Sequence, residues 1–207
     1  MTTNNKPYCI EALLLAAGES KRFNGNKQLA IIDEKPMLAH TLRMLVQSEF
    51  DAVTVVLGAN AIVIKEALNQ IIADLAVVGK IKTNINAIIA EQWQQGMGAS
   101  IAAGIKNVTA EMTHVFIGLN DQVEIRAEQC NLMITESQKY PDKIVAAFYN
   151  GKISAPAIFP RAHFAELALL NDDKGARDIL RSNMANIVCL DLPEGARDID
   201  TKTDLLS

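Results

Sequence analysis

Short apolar runs, each the length of one strand, alternate along this chain with longer amphipathic stretches, and few folds accommodate that rhythm. Ile10–Ala16, Val53–Leu57, Ile85–Ala90 and His114–Leu119 are apolar at nearly every position. A strand made from any of them offers both faces to an interior. Helix-like stretches separate them. Pro36 stands at one helix start, with Leu38, Leu42, Leu45 and Val46 on a shared face behind it. Ala61–Ala73 and Ser100–Val108 read as two more helices. The alternation predicts an α/β, doubly wound fold, a mostly parallel sheet with helices on both faces. Farther along, Ala127–Lys139 predicts a helix. Lys143–Tyr149 and Ile153–Phe159 flank Asn150-Gly151, the turn of a small antiparallel hairpin. Arg161–Leu170 and Ala176–Arg181 read as helices, Ile187–Leu190 as a last strand, and Thr201–Leu206 as a terminal helical turn.

The 207 residues suit a single domain. In a doubly wound sheet, ligands sit beyond the carboxyl ends of the strands, where the winding reverses. The loops after Ala16, Leu57, Ala90 and Leu119 are therefore the places to search, and Gly58 opens one of them. Composition narrows the ligand. A net charge of −4 argues against a general nucleic-acid or membrane-surface binder, so a polyphosphate ligand needs a local positive patch. The early apolar run Ala12–Ala17 is too short for a signal peptide or a membrane span, which predicts a cytoplasmic protein. Cys9, Cys130 and Cys189 are odd in number and far apart, so they form neither a zinc cluster nor a disulfide framework. Each is expected as a buried thiol. His40, His114 and His163 are isolated, and none is assigned to catalysis.

The first loop carries the chemistry. It reads Leu15-Ala16-Ala17-Gly18-Glu19-Ser20-Lys21-Arg22-Phe23-Asn24-Gly25-Asn26-Lys27. Small residues directly after a strand let backbone N–H groups approach an anion. Arg22 offers a planar fork to phosphate oxygens and Lys27 a compact point charge. Neither GxGxxG nor GxxxxGK[ST] is present, which argues against dehydrogenase and P-loop readings. On loop chemistry alone, a solvated surface loop stays open as the alternative.

This loop resembles the LAAGxSxRMGxxK signature of small-molecule nucleotidyltransferases. It is most similar to the molybdenum cofactor cytidylyltransferases and their guanylyltransferase relatives, the MobA-like NTP transferases. Leu15, Ala16, Ala17, Gly18, Ser20, Arg22 and Lys27 fall on the pattern, while Phe23 replaces the usual Met and Asn24 the usual Gly. Asparagine tolerates the left-handed backbone that a glycine turn uses. Trp93, Gly96, Gly98 and Ser100 match the family's W-x-x-G-x-G-x-S stretch. The resemblance makes Gly98 and Ser100 nucleotide contacts, with Ser100 as helix N-cap the structural alternative, and leaves Trp93 as packing. Asn120-Asp121-Gln122-Val123 stands where the family shows Gly-Asp-Gln-Pro, keeping Asp121 and Gln122. Asp198-Ile199-Asp200-Thr201 resembles the ending DIDTPED. Asp172-Asp173-Lys174-Gly175-Ala176-Arg177 resembles GDxGAR.

These ordered blocks span most of the chain, and the resemblance implies a Rossmann-like nucleotidyltransferase. Its nucleotide-binding part spans about 8–122 and its acceptor-binding part about 123–207. Leu15, Ala16, Ala17, Gly18, Gly58, Gly98 and Ser100 would bind the nucleotide. Arg22, Lys27 and Asp121 would act in catalysis. Asp121 and Asp200 (or Asp198) would hold Mg²⁺, with capping as the alternative role for each aspartate. Gln122, Asp173, Gly175 and Arg177 would face the acceptor. The implied reaction is attack by an acceptor phosphate on the α-phosphorus of a nucleotide. Leu-Ala-Ala-Gly resembles the cytidylyl branch, so CTP is expected over GTP, with a molybdopterin-type acceptor and, through it, a molybdoenzyme partner. A sugar- or alditol-phosphate nucleotidyltransferase of the same fold is the nearest alternative. A non-catalytic nucleotide- or cofactor-binding chaperone is a third.

Overall fold

The computed structural model describes residues 7–78, 83–199 and 201–206. A seven-stranded sheet runs in the order β5-β4-β1-β6-β8-β7-β9. Its members are β1 (Ile10–Ala16), β4 (Ala52–Leu57), β5 (Asn84–Ile89), β6 (His114–Leu119), β7 (Ile144–Tyr149), β8 (Lys152–Pro160) and β9 (Ile187–Asp191). β1 lies parallel between β4 and β6, and β4 pairs parallel with β5. The chain thus winds from β1 out to β5, then returns to the other side of β1. That reversal puts the crevice at the carboxyl ends of β1 and β6.

β1 is buried at all seven positions, and its alternation explains why helices cover both faces. Ile10, Ala12, Leu14 and Ala16 join a cluster with Leu38 and Leu42 of α1 (Met37–Gln47), Ile64 and Leu68 of α2 (Ala61–Val78), and Met133 of α4 (Ala127–Lys139). Leu13 and Leu15 join the opposite cluster with Ile101 and Ile105 of α3 (Met97–Asn107), Leu167 of α5 (Phe164–Leu167) and Ile179 of α6 (Arg177–Ser182). Each fully buried side chain of this kind contributes about 2 kcal/mol relative to exposure. The doubly wound reading is therefore the observed fold.

Asn150-Gly151 does turn the hairpin, with φ of 48° and 71°. The hairpin is part of the main sheet, because β8 pairs antiparallel with both β7 and β6. Three details differ from expectation. A second hairpin, β2 (Ile31–Ile32) with β3 (Lys35–Pro36), turns on Asp33 and Glu34 at φ of 44° and 66°, without the usual Asn-Gly signal. The helix expected over Arg161–Leu170 is a 3-10 turn at Arg161–His163 and one helical turn, α5, because Leu169 is 80% exposed and continues no buried stripe. Cys189 is exposed on β9, whereas Cys130 is buried. No helix among the described residues is long and apolar enough to cross a membrane.

Candidate active site

The first loop leaves β1 at Ala16 and is shaped by two left-handed residues. Ser20 has φ 58° and Asn24 has φ 54°, on either side of a 3-10 turn at Lys21–Phe23. Asn24 therefore takes the conformation for which glycine is the usual choice. Two buried side chains fix the turn. Gln28 donates from Nε2 to the carbonyls of Ala16 and Gly18, at 2.9 Å each. Phe23 packs with Met37 and Ile199 in a third apolar cluster, which ties the C-terminal segment to the loop.

A cleft of about 490 Å³ lies over the carboxyl ends of β1 and β6. The loop lines it with Leu15, Ala16, Ala17, Gly18, Arg22, Lys27 and Gln28. Trp93, Gly96, Met97 and Ser100 line it from the start of α3, and Leu119, Asn120 and Asp121 from the end of β6. The structure thus brings together most of the residues singled out for nucleotide and catalysis. Ser100 is not an N-cap. α3 starts three residues earlier, at Met97, because Gly96 supplies a cap conformation of φ 117° that side-chain-bearing residues rarely adopt.

Two glycines expected at the nucleotide stand outside the lining, and each serves a close approach instead. A Cβ on Gly58 would lie 2.5 Å from the carbonyl of Ala17 and 2.7 Å from Cβ of Trp93. Gly58 is the floor on which the loop and Trp93 rest. Gly98 donates its N–H to the Asp172 carbonyl at 2.7 Å, and a Cβ there would lie 2.8 Å from the same oxygen. Gly98 thereby seats the segment that delivers Asp173 to the cleft wall. Trp93 is half-buried over Gly58 and lines the cleft, so it faces the open space as well as packing.

Lys27 Nζ donates to Asp121 Oδ2 at 2.7 Å, with the side chains 14% and 21% exposed. The other carboxylate oxygen, Asp121 Oδ1, is buried without a hydrogen-bond partner. An unmet buried acceptor of this kind costs about 1–3 kcal/mol, which a cation or donor at that oxygen removes. Asp121 therefore fits a hard divalent cation. Among the described residues no three His, Cys, Asp or Glu side chains cluster to hold a metal. Mg²⁺ needs no such cage, since one or two carboxylates suffice when phosphates and waters complete the octahedron. Beside Asp121, Asn120 accepts from Thr41 Oγ1 at 3.0 Å. The Ile199 N–H approaches the Asp121 carbonyl at 3.4 Å, so the C-terminal segment runs along the metal candidate. Asp198 is exposed and does not line the cleft. Asp200 lies outside the described residues.

The residues expected at the acceptor are more divided. Gln122, expected at the acceptor, is buried at 2% exposure and spends its amide on the fold. Its Nε2 reaches Tyr149 Oη, the Ala155 carbonyl and the Gly195 carbonyl at 3.0–3.1 Å. It joins β7, β8 and the C-terminal segment next to Asp121. Burial pushes the Tyr149 phenol up, nearby Asp198 and Asp121 add to this, and hydrogen bonds from Ser154 and Gln122 oppose it. Gln122→Ala should lower stability by about 3 kcal/mol in urea unfolding, because buried acceptors lose their donor. A loss under about 1 kcal/mol would show that Gln122 is not the clasp.

Asp173 lines the main cleft, while Arg177 lines a neighbouring hollow of about 90 Å³ with Ile101, Ile153, Phe159 and Lys174. The two share Met97 and Leu119, so they form adjoining compartments. Gly175, at φ 60°, lines neither and lies against Met97, where a Cβ would be 2.9 Å from the sulfur. Gln28 and Asn120 are among the lining residues that had no role expected from the sequence, and Trp93, expected as packing, lines the cleft as well. Of these only Trp93 carried a signal, its place in the glycine-rich stretch.

A family profile described as the MobA-like NTP transferase domain matches residues 12–187. Among solved structures, Rv0371c from Mycobacterium tuberculosis H37Rv superposes with a TM-score of 0.75 at 25% identity, covering 95% of each chain. A second structure of it, described as a complex with manganese, gives 0.72 at 24% identity, again over 95% of each chain. The 4-diphosphocytidyl-2C-methyl-D-erythritol synthase from Anaerococcus prevotii DSM 20548 gives 0.71 at 15% identity, over 96% of this chain and 95% of that one. Molybdopterin-guanine dinucleotide biosynthesis protein A from Archaeoglobus fulgidus gives 0.63 at 15% identity, over 95% of each. The last two likenesses carry the fold alone. A comparison with curated proteins found no match.

Proposed function

This chain belongs to the MobA-like NTP transferase family, and from that premise we propose that it transfers CMP from CTP to the phosphate of a molybdopterin-type acceptor. The observation that carries the reading is the cleft in which Arg22, Lys27 and Asp121 share one wall-to-wall space with the loop Leu15–Gly18. An acceptor phosphate oxygen forms a bond to the α-phosphorus, the bond to the β-phosphate oxygen breaks, and pyrophosphate leaves. That oxygen is already ionised at neutral pH, so the site needs no general base. Catalysis then rests on positioning and charge. Arg22 and Lys27 neutralise the triphosphate. Asp121 would hold Mg²⁺, which when bound draws charge from the α-phosphate.

The adjoining hollow of about 90 Å³, with Arg177 and Lys174 beside Ile101, Ile153 and Phe159, suits an anionic group of the acceptor rather than its whole body. CTP is preferred over GTP because the Ala17 methyl narrows the wall beside the base. Pyrophosphate release, measured with Mg²⁺ and each nucleotide in turn, should require both CTP and molybdenum cofactor. Turnover of GTP that equals or exceeds that of CTP would remove the cytidylyl assignment. A second reading is transfer to an alditol or sugar phosphate, which the same fold accommodates. Release of pyrophosphate with such acceptors, and none with molybdenum cofactor, would select it.

A further inference from the structure

Lys27 and Asp121 hold one another at 2.7 Å through Oδ2, yet the proposed chemistry gives each group a new partner. Phosphate oxygens take the ammonium, and a cation takes the carboxylate. A cation at the open Oδ1 would stand beside the Lys27 ammonium, and the two positive charges repel, so a ligand for either group competes with the ion pair. We propose that the Lys27–Asp121 pair is a latch that couples the two ligands. Nucleotide phosphates draw Lys27 away and so raise the affinity of Asp121 for a divalent cation. The cation, by taking Asp121, releases Lys27 to the phosphates. The inference rests on the reading of Asp121 as a cation ligand and Lys27 as a phosphate contact.

The geometry says which partner moves. Asp121 follows β6 directly, its carbonyl is approached by the Ile199 N–H, and the preceding Asn120 N–H is bonded to the Leu15 carbonyl at 3.2 Å. Lys27 opens a short 3-10 turn and reaches the carboxylate through a flexible four-carbon stem. The stem swings and the carboxylate stays. At 14% and 21% exposure the pair is neither a screened surface bridge nor sealed in the core, so it can exchange partners. Linkage makes the coupling reciprocal, and couplings between sites commonly lie between about 5-fold and 150-fold. A value of about tenfold fits a partly buried pair.

Two binding measurements on the full chain test the latch without turnover. Mn²⁺ is titrated by electron paramagnetic resonance in the absence of nucleotide, and CTP is titrated by calorimetry in EDTA. Lys27→Met should tighten Mn²⁺ about tenfold, and Asp121→Asn should tighten metal-free CTP about tenfold. A merely structural pair gives the opposite sign, since losing it would loosen the site for both ligands. Lys27→Gln repeats the first arm with a polar side chain, and thermal unfolding checks that each variant is folded. If Lys27→Met and Lys27→Gln bind Mn²⁺ no tighter than wild type while Asp121→Asn loses it, the latch is overturned and the metal reading stands. If none of the three changes Mn²⁺ affinity, the metal reading fails and takes the latch with it.

Discussion

Asp121→Asn should lower pyrophosphate release by about three orders of magnitude with only a small loss of stability. The substitution keeps the shape and one acceptor oxygen but removes the charge that would hold Mg²⁺. Removing a single preorganised electrostatic contact commonly costs about 10²–10³ in kcat, and a cation ligand sits at the upper end. The stability change has opposing parts. Lys27 loses its counter-ion at 2.7 Å, which destabilises the fold. The partly buried charge of Asp121 also disappears, which relieves its desolvation cost, although an amide atom in the place of Oδ1 is still an unmet polar group. The expected net loss is under about 2 kcal/mol by urea unfolding. Steady-state rates at saturating CTP, beside unfolding curves, separate the two effects. Activity within tenfold of wild type would remove Asp121 from the chemistry.

That contrast shows what the sequence made legible. The chemistry-bearing residues could be read because they sit in ordered blocks at strand ends. The alternating apolar runs already placed those ends beside one another. Ala16, Arg22, Lys27, Ser100 and Asp121 meet in one cleft for that reason. What could not be read was which neighbours fix them. Gln122 sits in the same block as Asp121, so its spacing marked it as functional. Only coordinates show its amide on Tyr149, Ala155 and Gly195. Gly58 and Gly98 read from the sequence as nucleotide contacts, yet both stand outside the cleft lining. Their service to Trp93, Ala17 and Asp172 depends on contacts between segments far apart in sequence. The turn at Asp33 and Glu34 was missed because neither residue advertises positive φ. Ser100 was displaced from the cap because Gly96, a glycine with φ 117°, starts the helix earlier.

Gln28→Leu extends the argument to the loop itself and should damage stability and catalysis together. Gln28 is 3% exposed, and its amide donates to the carbonyls of Ala16 and Gly18 at 2.9 Å each. Leucine fills much of the same space but donates nothing, so two carbonyls lose their donor. The buried Ala16 carbonyl left unmet costs about 1–3 kcal/mol and the more exposed Gly18 carbonyl less, so the loss should come to about 2–4 kcal/mol. The catalytic cost arises differently. Ser20 and Asn24 hold left-handed backbone at φ of 58° and 54°, a conformation that persists only where the surroundings impose it. With the clasp gone, the loop relaxes and Arg22 moves relative to Asp121. A misplacement of about 1 Å can cost about 10²-fold. The expected result is a drop of about 100-fold in kcat/KM, carried by both kcat and the KM for CTP. Asp121→Asn loses activity and little stability, whereas Gln28→Leu loses both. Retention of wild-type kcat/KM in folded Gln28→Leu would mean that backbone turns, not this amide, preorganise the phosphate grip.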